Sequence, residues 1–282
     1  MKIIVPIDFS DNSIKALEYA TALATYIKSD IKLLHVLNPI TYDSIIRGIV
    51  SEEIADKRTV ASEELKRIIE DLRTINKDVN FNYEIVEGET VSEIINCSSE
   101  NEANLIVMGT HGAGGLKKLF FGSNTASVIE QSICPVIAIP EHYQFRVPKK
   151  IVFPTNYEAS DLLIVQQLSK IAEKFKAEIN VLHIIDDEDN KNEKLEAIKQ
   201  FLLTISEKVS YSKISYKLFN SKDIQKGIES VIEQEGADMI ALSTHKRNFL
   251  KKIIDKSITK ELSFHTKIPL IAFSLSESTI NF

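Results

Sequence analysis

Lys2-Ile-Ile-Val-Pro-Ile-Asp-Phe-Ser10 returns at an offset of 148 as Lys150-Ile-Val-Phe-Pro-Thr-Asn-Tyr-Glu158. At the same offset Leu33-Leu-His-Val36 matches Val181-Leu-His-Ile184. Further on, Ala103-Asn-Leu-Ile-Val-Met-Gly-Thr-His111 matches Ala237-Asp-Met-Ile-Ala-Leu-Ser-Thr-His245, and Cys134-Pro-Val-Ile-Ala-Ile139 matches Ile268-Pro-Leu-Ile-Ala-Phe273, both at an offset of 134. Self-similarity of this kind marks a duplicated structural unit. The step from 148 to 134 places a net loss of 14 residues in the middle of the second copy, where a helix and its loops are expected. The expected domains are residues 1–142 and 148–282, joined by the polar stretch Glu141–Pro148.

Each copy alternates short apolar runs with helical periodicity. In the first copy the predicted strands are Lys2–Ile7, Ile31–Leu37, Asn80–Val86, Leu105–Gly109 and Val136–Ile139. Continuous apolar runs of this length suit strands covered by helices on both faces. Ser10 is a good N-cap for a first helix with an apolar stripe of Ile14, Leu17, Ala20, Ala24 and Ile27, repeated as Leu162, Val165, Leu168, Ala172 and Phe175. The expected fold is α/β: two tandem doubly wound domains, each a five-stranded parallel sheet with helices on both faces. Ligands of such sheets bind beyond the carboxyl ends of the strands, where the winding reverses.

Composition narrows the function classes. The 282 residues are 44% hydrophobic and 26% charged with a net charge of −6, so no global field draws the chain to nucleic acid or an acidic membrane. No run approaches a membrane span, and the first residues lack the pattern of a signal peptide, so a cytoplasmic location is expected. The two cysteines, Cys97 and Cys134, form no metal-binding pattern and read as core-lining thiols.

After the fourth strand comes Gly109-Thr-His-Gly112, then nine residues, then Gly122-Ser123. This is neither a Walker A loop nor GxGxxG. Its logic is similar, because Gly112 lets a ligand approach the backbone and Gly122-Ser123 opens a predicted helix Asn124–Gln131 whose N-terminus can hold an anion. Asp8 ends the first strand beside the fourth, where its carboxylate can accept from a ribose hydroxyl or a base amino group. Plain turn glycines and a polar residue near the Ser10 cap are the simpler alternatives.

With Val5-Pro-Ile-Asp-Phe-Ser10, Leu34-His-Val36 and the Gly-x2-Gly-x9-Gly-Ser motif quoted, the chain resembles the universal stress protein family, in tandem form, across both halves. The first copy is similar to its ATP-binding branch. The resemblance implies strand order 3-2-1-4-5, domains packed as an intramolecular pseudo-dimer through their fifth strands, and ATP or AMP as ligand, with magnesium as an optional companion. It also implies that Asp8 and the backbone of Val36 hold adenine, that Asp8 and Gly109 lie near ribose, and that Gly112, Gly122, Ser123 and Asn124 hold phosphates, with Ile7 among the contacts.

Each copy serves as a control for the other. Pro6/Pro154, His35/His183, Thr110/Thr244, His111/His245 and Pro135/Pro269 occur in both, which suits structural roles, and Ser123/Ser257 suits a shared N-cap duty. Asp8 becomes Asn156, Gly109 becomes Ser243, Gly112 becomes Lys246 and Gly122 becomes Lys256. Lysine adds bulk where a close approach is needed and, at Gly122, would exclude positive φ. The second copy therefore reads as a degenerate site. Lys246, Arg247, Lys251, Lys252 and Lys256 form either a different anion site or a solvated face. The expectation is an adenine-nucleotide-binding regulator of the stress response, occupied in the first copy only, with a homodimer as a further assembly. A slow ATPase or phosphotransfer enzyme aided by His111 is the alternative, as is an interaction module with a vestigial site. No catalytic constellation supports the enzyme reading, and the sequence names no protein partner.

Overall fold

Ile3, Ile4 and Val5 are fully buried although they are consecutive, which requires a strand covered on both faces. In the computed structural model, which describes residues 1–38, 50–110, 122–185, 191–244 and 267–274, such strands build two compact units, Met1–Phe145 and Arg146–Phe282. Unit 1 runs β1 (Lys2–Pro6), α1 (Asp11–Ile27), β2 (Asp30–Leu37), α2 (Val50–Ile75), β3 (Phe81–Glu87), α3 (Thr90–Glu100), β4 (Leu105–Gly109), α4 (Ser123–Gln131) and β5 (Val136–Ile139). Unit 2 runs β6 (Lys150–Pro154), α5 (Ala159–Phe175), β7 (Glu178–Ile185), α6 (Lys191–Lys208), β8 (Ile214–Asn220), α7 (Ile224–Glu235), β9 (Met239–Ser243) and β10 (Leu270–Phe273).

Unit 1 has the parallel order β3-β2-β1-β4-β5, and unit 2 repeats it as β8-β7-β6-β9-β10. Right-handed crossovers then put α1 and α2 on one face of the first sheet and α3 and α4, which pack together, on the other. The winding reverses between β1 and β4. Ile4 pairs with Ile106, so Ile7 is level with Gly109 at the carboxyl edge.

The duplication extends to backbone detail. Phe9 and Tyr157 adopt φ of 63° and 64°, and the C-caps Lys28 and Lys176 adopt 57° and 56°. Non-glycine residues enter this left-handed region at a cost, so its recurrence at equivalent places reflects one shared chain path. Register also locates the missing residues. Leu33 pairs with Tyr83 and Val181 with Tyr216, so the offset falls from 148 to 133 between the second and third strands of each unit. The loss lies in the second helix and its connections: α2 has 26 residues and α6 has 18.

Two details differ from the sequence expectation. In α1 the buried face is centred on Ala16, Leu17, Ala20, Leu23 and Ala24, while Ile14 and Ile27 are only half-buried at its margins. The helix α4 begins at Ser123, one residue early, with Gly122 as its N-cap, so Ser123 has no N-cap duty. Its counterpart Ser257 lies outside the described residues.

Unit 2 is fastened near the amino ends of β6 and β9 by Glu235. Its Oε2 accepts from Lys150 Nζ at 2.8 Å, and its Oε1 accepts from Lys217 Nζ. These two hydrogen bonds, the Lys150 one leading, pull the carboxyl from the ordinary 4.5 down to about 2. A depressed folded-state value stabilises above pH 4.5 and loses that contribution as the pH falls toward 2. Glu235→Gln should therefore cost about 1–2 kcal/mol in urea unfolding at pH 7, with the gap to wild type closing below pH 4.5. A gap independent of pH would show that packing rather than charge is responsible.

Candidate functional site

The carboxyl edge of unit 1 is shaped by how β1 turns into α1. His35 Nδ1 lies 2.7 Å from the Ile7 carbonyl, and the Phe9 ring tilts on the His35 ring at 4.7 Å. Unit 2 repeats both contacts: His183 Nδ1 is 2.8 Å from the Thr155 carbonyl, and Tyr157 lies 4.6 Å from His183. The shared histidines of the second strands thus hold the shared turn. His111 and His245 lie outside the described residues.

Within that turn Asp8 is exposed, and its Oδ1 accepts from Ser10 N at 3.0 Å and from Ser10 Oγ at 2.5 Å. Ser10 Oγ in turn accepts from Ser13 N at 3.3 Å and caps α1. Asp8 is therefore both a member of the capping network and a charge at the edge of the crevice. Ile7 is buried, and its N–H donates to the Leu34 carbonyl at 2.8 Å. Strand alternation then directs the N–H and C=O of Val36 to the same side as those of Leu34, past the end of β1 and toward Asp8.

On the other side of the reversal, β4 ends at Gly109. A Cβ there would lie 2.7 Å from the backbone oxygen of Asn12, so the glycine is needed for β4 to pack on the start of α1. Thr125 Oγ1, buried in α4, donates to the Gly109 carbonyl at 2.8 Å. The chain leaves at Thr110 and is back at Gly122, whose N–H donates to the Thr110 carbonyl at 2.5 Å. The structure therefore sets the start of α4 directly beyond β4. Gly112 lies outside the described residues.

Among the described helix starts, α4 is chemically distinct. Ser10, Glu89 and Asp223 each accept from first-turn N–H groups of α1, α3 and α7, and Asp161 places a carboxylate in the first turn of α5 that accepts from the N-cap N–H of Glu158. Gly122 offers none, the first turn holds no acidic residue, and Ser123 and Asn124 are exposed. The backbone N–H groups and dipole of that turn can accept an anion from solution. Gly122 has φ −56°, so the backbone at this position would admit a lysine, contrary to the sequence expectation. What glycine provides is the absence of a side chain.

Unit 2 has rebuilt the corresponding corner in a way the sequence comparison missed. The carboxylate of Asp161, 4% exposed, accepts from Thr155 Oγ1 at 2.7 Å, Asn156 N at 3.2 Å and Glu158 N at 3.3 Å. The matching position in unit 1 is Ser13. The capping-box spacing Glu158-x-x-Asp161 was the available signal.

Cys97 is a buried core thiol, whereas Cys134 is half-buried beside the Ala103 carbonyl. Burial, reinforced by Glu84, raises Cys97 to about 11, and burial raises Cys134 to about 12, so both stay protonated. Among the described residues no group of histidine, cysteine and carboxylate side chains forms a metal site, and no described helix is long and apolar enough to cross a membrane.

Residues 1–140 match the family described as "Universal stress protein family". The chain is 34% identical over 144 residues to the universal stress protein YxiE of Bacillus subtilis, covering 49% of this chain and 97% of that one. It is 30% identical over 151 residues to the universal stress protein MJ0577 of Methanocaldococcus jannaschii, covering 49% and 93%. The crystal structure of a universal stress protein from Archaeoglobus fulgidus is similar over 98% of this chain and 97% of its own, with a TM-score of 0.70 and 18% identity, a likeness of fold.

Gly109→Ala should destabilise unit 1 by about 1–3 kcal/mol, because the new methyl meets backbone that cannot give way. Urea unfolding without ligand measures this, and unchanged stability would return Gly109 to a role in ligand contact alone.

Proposed function

The chain belongs to the universal stress protein family, and we propose that it is a regulatory protein of the stress response that binds one adenine nucleotide, ATP or AMP, in unit 1. The observation that carries this reading is the start of α4: a helix N-terminus with neither cap side chain nor acidic residue, set beyond β4 at the reversal of winding. There Ser123, Asn124 and the N–H groups of the first turn take the phosphates, joined by Gly112 from the preceding loop. The backbone of Val36 faces the adenine edge across the end of β1. Asp8 accepts from the base or ribose, and Ile7 and Gly109 form the wall between them.

The groups assembled here are backbone amides, small hydroxyls and one carboxylate. They bind and orient a nucleotide, a chemistry suited to holding it as a signal. A magnesium ion would be carried mainly by the phosphates. Unit 2 presents a different corner, with Asn156 for Asp8 and the Asp161 carboxylate already seated behind it. A nucleotide there would meet an amide where unit 1 offers the Asp8 carboxylate, with the Asp161 carboxylate occupying the space behind it, which supports occupancy of unit 1 alone.

Calorimetry with ATP should give a stoichiometry near one per chain. A value near two overturns the asymmetry, and no binding at all overturns the nucleotide reading. Gly122→Asp is the sharper probe, because aspartate is a favoured N-cap and repels phosphate. Affinity for ATP should fall at least tenfold while the melting temperature without ligand holds or rises. Retained affinity would move the phosphates away from α4.

A further inference from the structure

On the face of unit 1 that carries α1 and α2, a cleft of about 600 Å³ separates α2 from the carboxyl ends of β1 and β2. Its floor is Phe9, His35 and Leu37, and α2 walls it with the small aliphatic side chains Val60 and Ala61. Unit 2 has the same floor in Tyr157 and His183, but there it is covered. Phe201 of α6 sits edge-on against Tyr157, with centroids 5.4 Å apart and planes at 62°, and the Tyr157 hydroxyl bonds that of Tyr216 at 2.6 Å. The counterpart of Tyr216 by register is Tyr83, whose hydroxyl is taken instead by Ser62 of α2 at 2.9 Å. Among the described residues unit 1 therefore keeps the aromatic floor, loses the floor hydroxyl, and leaves the cleft open where unit 2 supplies a phenyl ring of its own.

We propose that this cleft binds a small neutral aromatic molecule bearing one N–H or O–H donor, its ring edge-on to Phe9 as Phe201 is to Tyr157. The donor follows from His35. The Ile7 carbonyl can only accept, so Nδ1 is the donor of that bond, and in this tautomer Nε2 is the ring's acceptor. Neutrality follows from the rim, where Lys57 and Arg67 are balanced by Glu63 and Glu64, with Arg67 Nη2 already bonding Glu64 at 2.5 Å. The cleft lies on the face of α1 and α2, and α4 lies on the other, so the site is separate from the phosphate contacts proposed above and does not rest on them.

Indole is the probe, because the chain has no tryptophan and indole emission can be excited beyond the tyrosine band. Titration with the full chain should give a saturable blue shift of equal affinity with and without saturating ATP. 1-Methylindole, which lacks the donor, should bind about 2- to 10-fold more weakly. Val60 is 66% exposed and tolerates enlargement, so Val60→Phe should weaken indole binding at least tenfold with the melting temperature unchanged. Absence of saturable binding, or binding indifferent to Val60→Phe, overturns the site. Competition by ATP overturns its independence and assigns the cleft to the nucleotide. ATP calorimetry reads the nucleotide site directly, so failure of the indole site leaves that result intact.

Discussion

A chain leaving β1 at Pro6 has four residues, Ile7 to Ser10, in which to reverse into α1, and it does so with Phe9 in the left-handed region at φ 63°. The strain is held by contacts on both sides. The Phe9 ring packs on His35, whose Nδ1 bonds the Ile7 carbonyl, while Asp8 and Ser10 bond each other and cap the helix. The turn leaves Asp8 exposed at the carboxyl edge and sets the Phe9 ring on His35. Both candidate sites of unit 1 are built on this one turn.

Comparison of the units separates what the turn needs from what each site needs. Left-handed Phe9 and Tyr157, and the His35 and His183 bonds to the preceding carbonyl, are common to both and belong to the fold. Around that frame unit 2 has been sealed from within. A buried carboxylate, Asp161, replaces Ser13 at the corner, and Phe201 with Tyr216 closes the aromatic floor. Burial and the Tyr216 hydroxyl push the Tyr157 phenol well above its ordinary range, so this seal stays protonated. Polar groups that unit 1 leaves to solvent are satisfied in unit 2 by the protein, which adds order to the corner and supports the proposal that unit 1 alone takes the nucleotide.

Several site residues change meaning once neighbours are visible. Gly109 reads in sequence as part of a ligand loop, yet the Asn12 backbone 2.7 Å from its missing Cβ makes it a packing glycine first. Gly122 reads as a conformational glycine, yet φ −56° is open to any residue, and its value lies in leaving α4 uncapped. Thr125, which ties α4 to the end of β4, carries no sequence signal beyond its place in a short helix.

The alternation of strands and helices, its duplication and the parallel, doubly wound sheet class were determined by the sequence alone, while the strand order was implied by the family resemblance that the same residues carry. Apolar runs and helical periodicity are local properties, and an internal repeat states twice how they alternate. Only tertiary structure decided the rest: that α4 opens without a cap beyond β4, that Asp161 reaches back across a turn, and that Phe201 covers a floor which α2 leaves open. Each depends on which side chains from distant segments meet and how much room remains between them. Distances of that kind are set by packing rather than by periodicity.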